Sequence, residues 1–257
     1  MLAVIGGSGL TQLPNLELTR REVVRTPYGE PSSALAFGRI RGQEVAFLAR
    51  HGSGHTIPAH AVNYRANVWA LVHRGAKAIV AVATVGGIRP DLAPGGIVIP
   101  HQIIDYTWGR KNTYHDGNGS DVVHIDFTHP YDSALRARLI EAARAAGVAA
   151  GETAVYAATQ GPRLETAAEI DRIERDGGEV VGMTAMPEAV LARELGAPYA
   201  AINVVVNHAA GRADSRDCIR FDSAGIEAAM AEAMIGVRAI IEKLAENWND
   251  HGHPAGA

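Results

Sequence analysis

The chain has 257 residues, 47% of them hydrophobic and 20% charged, with a formal net charge of −4 at pH 7. That length supports one large domain with a substantial core, and the composition has neither a disordered bias nor a run long enough to span a bilayer. The negative balance excludes broad electrostatic attraction to nucleic acid or acidic lipid, so a bound anion needs a local site.

The opening Met1-Leu2-Ala3-Val4-Ile5-Gly6 carries no basic leader or cleavage site and is read as a strand over residues 3–5. A strand follows at 45–49, then a helix at 63–74 and strands at 78–83 and 96–99. A helix at 133–146, a strand at 154–159, a helix at 164–176 and a strand at 179–181 come next. A helix at 187–195, a strand at 199–206 and a long helix at 225–248 complete the order. Several strands are apolar on both faces, as expected where helices cover both sides of a sheet. In the last helix Ile226, Met230, Met234, Val237, Ile241 and Leu244 draw one apolar stripe, read as core. The alternation predicts an α/β fold: a single domain over 1–248 whose central mixed β-sheet is flanked by helices. Residues 249–257 are read as a flexible tail whose two histidines need no function. Cys218 is the sole cysteine, so no intramolecular disulfide exists; it is read as a small buried apolar residue in a cytoplasmic protein.

Five segments are able to carry chemistry. Gly6-Gly7-Ser8-Gly9 follows the first strand and forms either an anion nest, with Ser8 adding a hydroxyl, or only a tight turn. A dinucleotide fingerprint is excluded because Gln12 stands where a third glycine is needed. Arg50-His51 ends another strand and offers donors suited to phosphate. His51, His55 and His60 are close enough in sequence to raise a metal reading. No carboxylate or thiol lies between Arg50 and His60, and Arg50 would repel a cation, so no metal is expected. Ala83-Thr84-Val85-Gly86-Gly87 places small residues at a strand end, where open α/β sheets bind ligands, or is a plain turn. Pro187 suits a first helical turn, which sets Thr184 before a helix N-terminus as an anion contact or a simple cap; Met183 beside it offers a soft apolar surface for a sugar. Asn207 ends a buried apolar strand and must find partners. Its amide suits a 6-oxopurine, donating to O6 and accepting from a protonated N7; a local Asx turn is the alternative.

The order and spacing of Gly6-Gly7-Ser8-Gly9-Leu10, Ala49-Arg50-His51-Gly52, Asn63-Tyr64-Arg65-Ala66-Asn67, Gly86-Gly87, Gly161-Pro162-Arg163 and Met183-Thr184-Ala185-Met186-Pro187-Glu188 resemble the methylthioadenosine phosphorylase branch of the trimeric purine nucleoside phosphorylases. The resemblance runs from residue 3 to about residue 211. It implies a nucleoside phosphorylase-like sheet and a homotrimer with sites near subunit boundaries. It also implies phosphate as co-substrate, with no cofactor. By the same resemblance, phosphate lies against Ser8, Arg50, His51, Ala83, Thr84 and Thr184, and Met183 packs on the ribose. Leu164, Glu165, His208 and Ala209 fall at substrate-binding positions, His124 at the position a neighbouring subunit lends to the 5′ pocket, and Phe221 where it favours an apolar 5′ group. Adenine-specific relatives carry Asp at the positions of Asn207 and Ala209. The departure implies phosphorolysis of a 6-oxopurine nucleoside, 5′-methylthioinosine, with Asn207 as the catalytic contact to the leaving base. A water-using nucleosidase, a nicotinamide-dependent oxidoreductase and a non-catalytic nucleotide-binding module are the rival readings. Arg110 opposes the oxidoreductase, standing where a Tyr106-based Tyr-x-x-x-Lys pair needs lysine.

Overall fold

The computed structural model describes residues 1–117, 121–219 and 224–248, with the backbone alone at 224–227 and 229. In chain order the strands are β1 (Leu2–Gly6), β2 (Glu17–Glu22), β3 (Leu35–Ile40), β4 (Gln43–Ala49), β5 (Ala78–Gly87), β6 (Ile97–Val98), β7 (Gln102–Asp105), β8 (Ala150–Gly151), β9 (Val155–Ala158), β10 (Val180–Gly182) and β11 (Tyr199–His208). The helices are α1 (Tyr64–His73), α2 (Ser133–Ala145), α3 (Ala167–Arg175), α4 (Ala185–Glu194) and α5 (Ala224–Glu246). All of these strands join one mixed sheet.

Alternate residues of β1 serve two cores. Ala3 and Ile5 face a layer containing α1 and α4, whereas Leu2 and Val4 face α2 and α5. Every residue of β1 is buried, which is why that strand reads as an uninterrupted apolar run. The predicted stripe of α5 is core at Met234, Val237, Ile241 and Leu244, and Met230 packs at its edge. Asn63 caps α1 by accepting from the Ala66 N–H, and Asp132 caps α2 through the Leu135 N–H.

Several sequence expectations shift. The strands β2, β3, β7 and β8 have no counterpart among the expected elements; β2, Glu-Leu-Thr-Arg-Arg-Glu, is exposed along most of its length, a charged edge without an apolar signal. The strand expected to stop at Ala83 continues to Gly87 because its glycine tail is paired on both edges. The helix expected from residue 164 starts at Ala167, where Thr166 and Glu169 form a capping box. The helix expected from residue 187 is drawn from Ala185, yet Met186 is extended (φ −114°, ψ 135°), as the residue before a proline prefers. Cys218 is exposed rather than buried, because it lies on the surface stretch after β11. The tail 249–257 lies outside the described residues. Among the described residues no helix is long and apolar enough to cross a membrane.

Candidate active site

The site arises where the sheet forks. β1 runs parallel to β5 from Ala78 to Ala81, and β10 joins β5 antiparallel only at Gly86 and Gly87. β11 holds the other edge of β5 from Ile79 to Gly87. Residues 82–85 of β5 therefore have one edge without a neighbouring strand. A cavity of about 570 Å³ opens there, with Gly7 and Ser8 from the end of β1, Ala83 to Gly86 from β5, and Val181 from β10 in its wall. Ligands of open α/β sheets sit at such divergences because backbone groups there are not consumed by a ladder.

One end of the cavity is rich in donors. Arg50, after β4, is 1% exposed, and its guanidinium lies side-on to the fully buried Glu188 of α4. Nε donates to Oε1 at 2.7 Å and Nη2 to Oε2 at 2.8 Å, while Nη1 donates to the Val82 carbonyl on the open edge of β5 at 2.9 Å. Burial opposes the charge on Arg50, but the adjacent Glu188 outweighs it and raises the guanidinium pKa. Backbone groups alternate along a strand, so the Thr84 N–H falls on the same open edge as the Val82 carbonyl. Gly7 is necessary here: a Cβ would stand 2.6 Å from the Val82 oxygen and 2.7 Å from Arg50 Nη1.

His51 Nδ1 lies 2.8 Å from the Ile57 carbonyl, which only accepts, so this nitrogen carries the hydrogen. Burial, followed by the charge of Arg50, lowers the ring's pKa. With Nδ1–H directed at the Ile57 carbonyl, the neutral form of the ring offers Nε2 as an acceptor. Ser8 Oγ is 2.9 Å from Nε2 of His55, whose ring lies 4.9 Å from that of His51. His55, in the sequence only one of three neighbouring histidines, is part of the wall; only its contact with Ser8 across 47 residues reveals this. Thr184 is buried, makes no side-chain cap bond, and donates its N–H to Tyr156 Oη at 3.2 Å.

The other end is mainly apolar. Met183, Leu164, Val206, Ala209 and Ile219 line it together with Glu165 and Asn207. A shift in the β11–β5 register between Val205 and Asn207 brings the consecutive residues Val206 and Asn207 into the same cavity. Asn207 Nδ2 donates to the His208 carbonyl at 2.6 Å, leaving one N–H and Oδ1 beyond this local bond. Glu165 Oε1 accepts from Thr159 Oγ1 at 2.6 Å. Arg110 ties the loops together: Nη1 donates to the Met183 and Met186 carbonyls (2.7 and 2.6 Å) and Nη2 to the Gln160 carbonyl (2.8 Å).

Ser8, Arg50, His51, Ala83, Thr84, Met183, Thr184, Leu164, Glu165, Asn207 and Ala209 are thus brought together from six separate stretches of chain. Two expected residues lie elsewhere in the chain. His208 stands outside the cavity wall because its Nδ1 is paired with Asp214 at 2.6 Å, and His124 is on the exposed surface. Phe221 lies outside the described residues. Among those residues no cluster of three or more His, Cys, Asp or Glu is arranged to hold a metal ion.

Residues 1–242 match the pattern of the Phosphorylase superfamily. The chain belongs to that superfamily. As a superfamily member it is 50% identical over 242 residues to a probable S-methyl-5′-thioinosine phosphorylase of Pseudomonas syringae pv. tomato, covering 94% of this chain and 97% of the relative. It is 49% identical over 215 residues to the 6-oxopurine nucleoside phosphorylase of Pyrococcus furiosus, covering 82% and 80% of the two chains. The phosphorylase fold is shared with methylthioadenosine phosphorylase from Schistosoma mansoni in complex with adenine: TM-score 0.90, 31% identity, 95% of this chain and 90% of that one.

Proposed function

We propose that this phosphorylase cleaves 5′-methylthioinosine with inorganic phosphate, releasing hypoxanthine and 5-methylthioribose 1-phosphate. The carrying observation is the amide of Asn207 at the apolar end of a cavity whose other end is Arg50, Ser8 and Thr184. A 6-oxopurine offers O6 to the remaining N–H of Asn207, and N7, once protonated, donates to Oδ1. Its N1–H matches the Glu165 carboxylate, whereas the unprotonated N1 of adenine would meet that carboxylate with a lone pair. Met183 supplies an apolar surface for the sugar, and Leu164 and Ala209 complete the base pocket.

Phosphate attacks C1′ as the bond to N9 breaks, and the electron pair leaves with the base. The sugar passes through an oxocarbenium-like state that the phosphate dianion stabilises from one face. Hydrogen phosphate gives up its hydroxyl proton to solvent as the new C1′–O bond forms, and the leaving base takes one up from solvent at N7; Asn207 accepts from that N7–H, so its interaction is strongest in the transition state. Arg50, Ser8, Thr184 and the Thr84 N–H hold phosphate by donation, with the small side chain of Ala83 leaving room beside them, and His51 Nε2 accepts from the hydroxyl of hydrogen phosphate. No cofactor enters this scheme. We assign His124 to the site of a neighbouring subunit in a homotrimer, which its exposure next to exposed Val122 and Val123 supports.

The test is release of free base from methylthioinosine, methylthioadenosine, inosine and guanosine, each with and without phosphate. Phosphate-dependent release, fastest from methylthioinosine, is expected. Release at the same rate without phosphate would make the protein a nucleosidase.

A further inference from the structure

Glu188 lies behind Arg50, outside the cavity wall, and nothing above gives it a task in the reaction. It is fully buried on α4, and its two oxygens accept three hydrogen bonds: Arg50 Nε, Arg50 Nη2 and, at 2.9 Å, Tyr199 Oη from the start of β11. A carboxylate so placed has strong directional control over a guanidinium, because the side-on fork fixes both the plane and the rotation of the group. Arg50 has five N–H bonds, of which Glu188 takes two and the Val82 carbonyl one. The two left over belong one each to Nη1 and Nη2, and Arg50 is part of the cavity wall.

We infer that Glu188, held by Tyr199, is a positioning residue for phosphate: it turns Arg50 so that its terminal N–H pair addresses the cavity. It also balances the Arg50 charge, so the anion is retained by directed hydrogen bonds rather than by an unpaired buried cation. This keeps phosphate exchangeable at each turnover. The inference rests on the phosphorylase reading of the cavity and adds a residue that does not touch the substrate.

The test measures phosphate KM, nucleoside KM and kcat for Glu188→Gln, Arg50→Lys and the double variant. Gln keeps one acceptor and sets an amide NH2 against one of the two Arg50 donors, so the fork is lost. Glu188→Gln is expected to raise phosphate KM about tenfold or more, with nucleoside KM changed less than about threefold. In the Arg50→Lys background, where no fork can form, the same change should add less than about threefold. Equal effects of Glu188→Gln in both backgrounds, or an unchanged phosphate KM, would overturn the inference. Should Glu188→Gln not fold, Tyr199→Phe decides: it removes one bond to Oε2 and keeps the ring stacked on Tyr131. A rise in phosphate KM of about threefold or more supports positioning, and no rise overturns it. A wild-type enzyme that shows no saturable phosphate dependence defeats the phosphorylase reading instead, which keeps the two failures distinct.

Discussion

Replacing Asn207 by Asp changes one NH2 group for one oxygen at the apolar end of the cavity. In the wild type that NH2 spends one hydrogen on the His208 carbonyl at 2.6 Å, and in the proposed reaction its second meets O6 of the base. The ionised carboxylate of the Asn207→Asp variant would bring oxygen against that carbonyl and have nothing to donate to O6. Loss of one transition-state donor in an enclosed site costs about 3–4 kcal/mol, or roughly a hundred- to thousandfold in kcat. A carboxylate accepts from the 6-amino group of an aminopurine, so the penalty for methylthioadenosine should be smaller. The ratio of kcat/KM for methylthioinosine to that for methylthioadenosine is therefore expected to fall by about a hundredfold. The assay follows base release from each nucleoside at saturating phosphate, with the folded state checked by thermal melting. If both nucleosides lose activity equally and the ratio stays within about threefold, Asn207 acts only through its local bond to His208 and the specificity argument fails.

The same geometry yields three more expectations. Gly7→Ala drives a methyl group between the Val82 carbonyl and Arg50 Nη1, neither of which is free to move, so phosphate KM should rise at least about tenfold and stability fall by about 1–3 kcal/mol in urea titration. Arg110→Lys loses the planar fan that ties the Gln160, Met183 and Met186 carbonyls; nucleoside KM should rise about tenfold while phosphate KM stays the same, as steady-state kinetics in both substrates will show. His51, whose native pKa is depressed first by burial and then by Arg50, should make the fold acid-sensitive. The unfolded ring takes up a proton as pH drops through about 6.5, before the native ring does. The unfolded state then binds more protons, and stability is lost downward from that pH. Urea midpoints between pH 7.5 and 5.5 should fall less steeply in His51→Gln; identical slopes would count against a neutral buried ring.

The sequence by itself determined the layered α/β plan, because strands buried on both faces and a helix with one apolar stripe leave a periodicity that needs no partner to be seen. It also marked candidate site residues: glycine turns, Arg50, Thr184 and Asn207 all stand at or near strand ends, and that placement is local. Charged β2 and two-residue β8 carry no such signal, since an edge or a fragment is defined by its neighbour. Only the tertiary structure decided which groups meet. The fork between β1 and β10 makes the cavity, the register shift near Asn207 turns two consecutive side chains into it, and Ser8 finds His55 across 47 residues. The Arg50–Glu188 pair spans 138 residues, and Glu188 reads in sequence as one more acidic residue of a helix. Such pairings depend on how the chain returns to the same place, which no local pattern encodes.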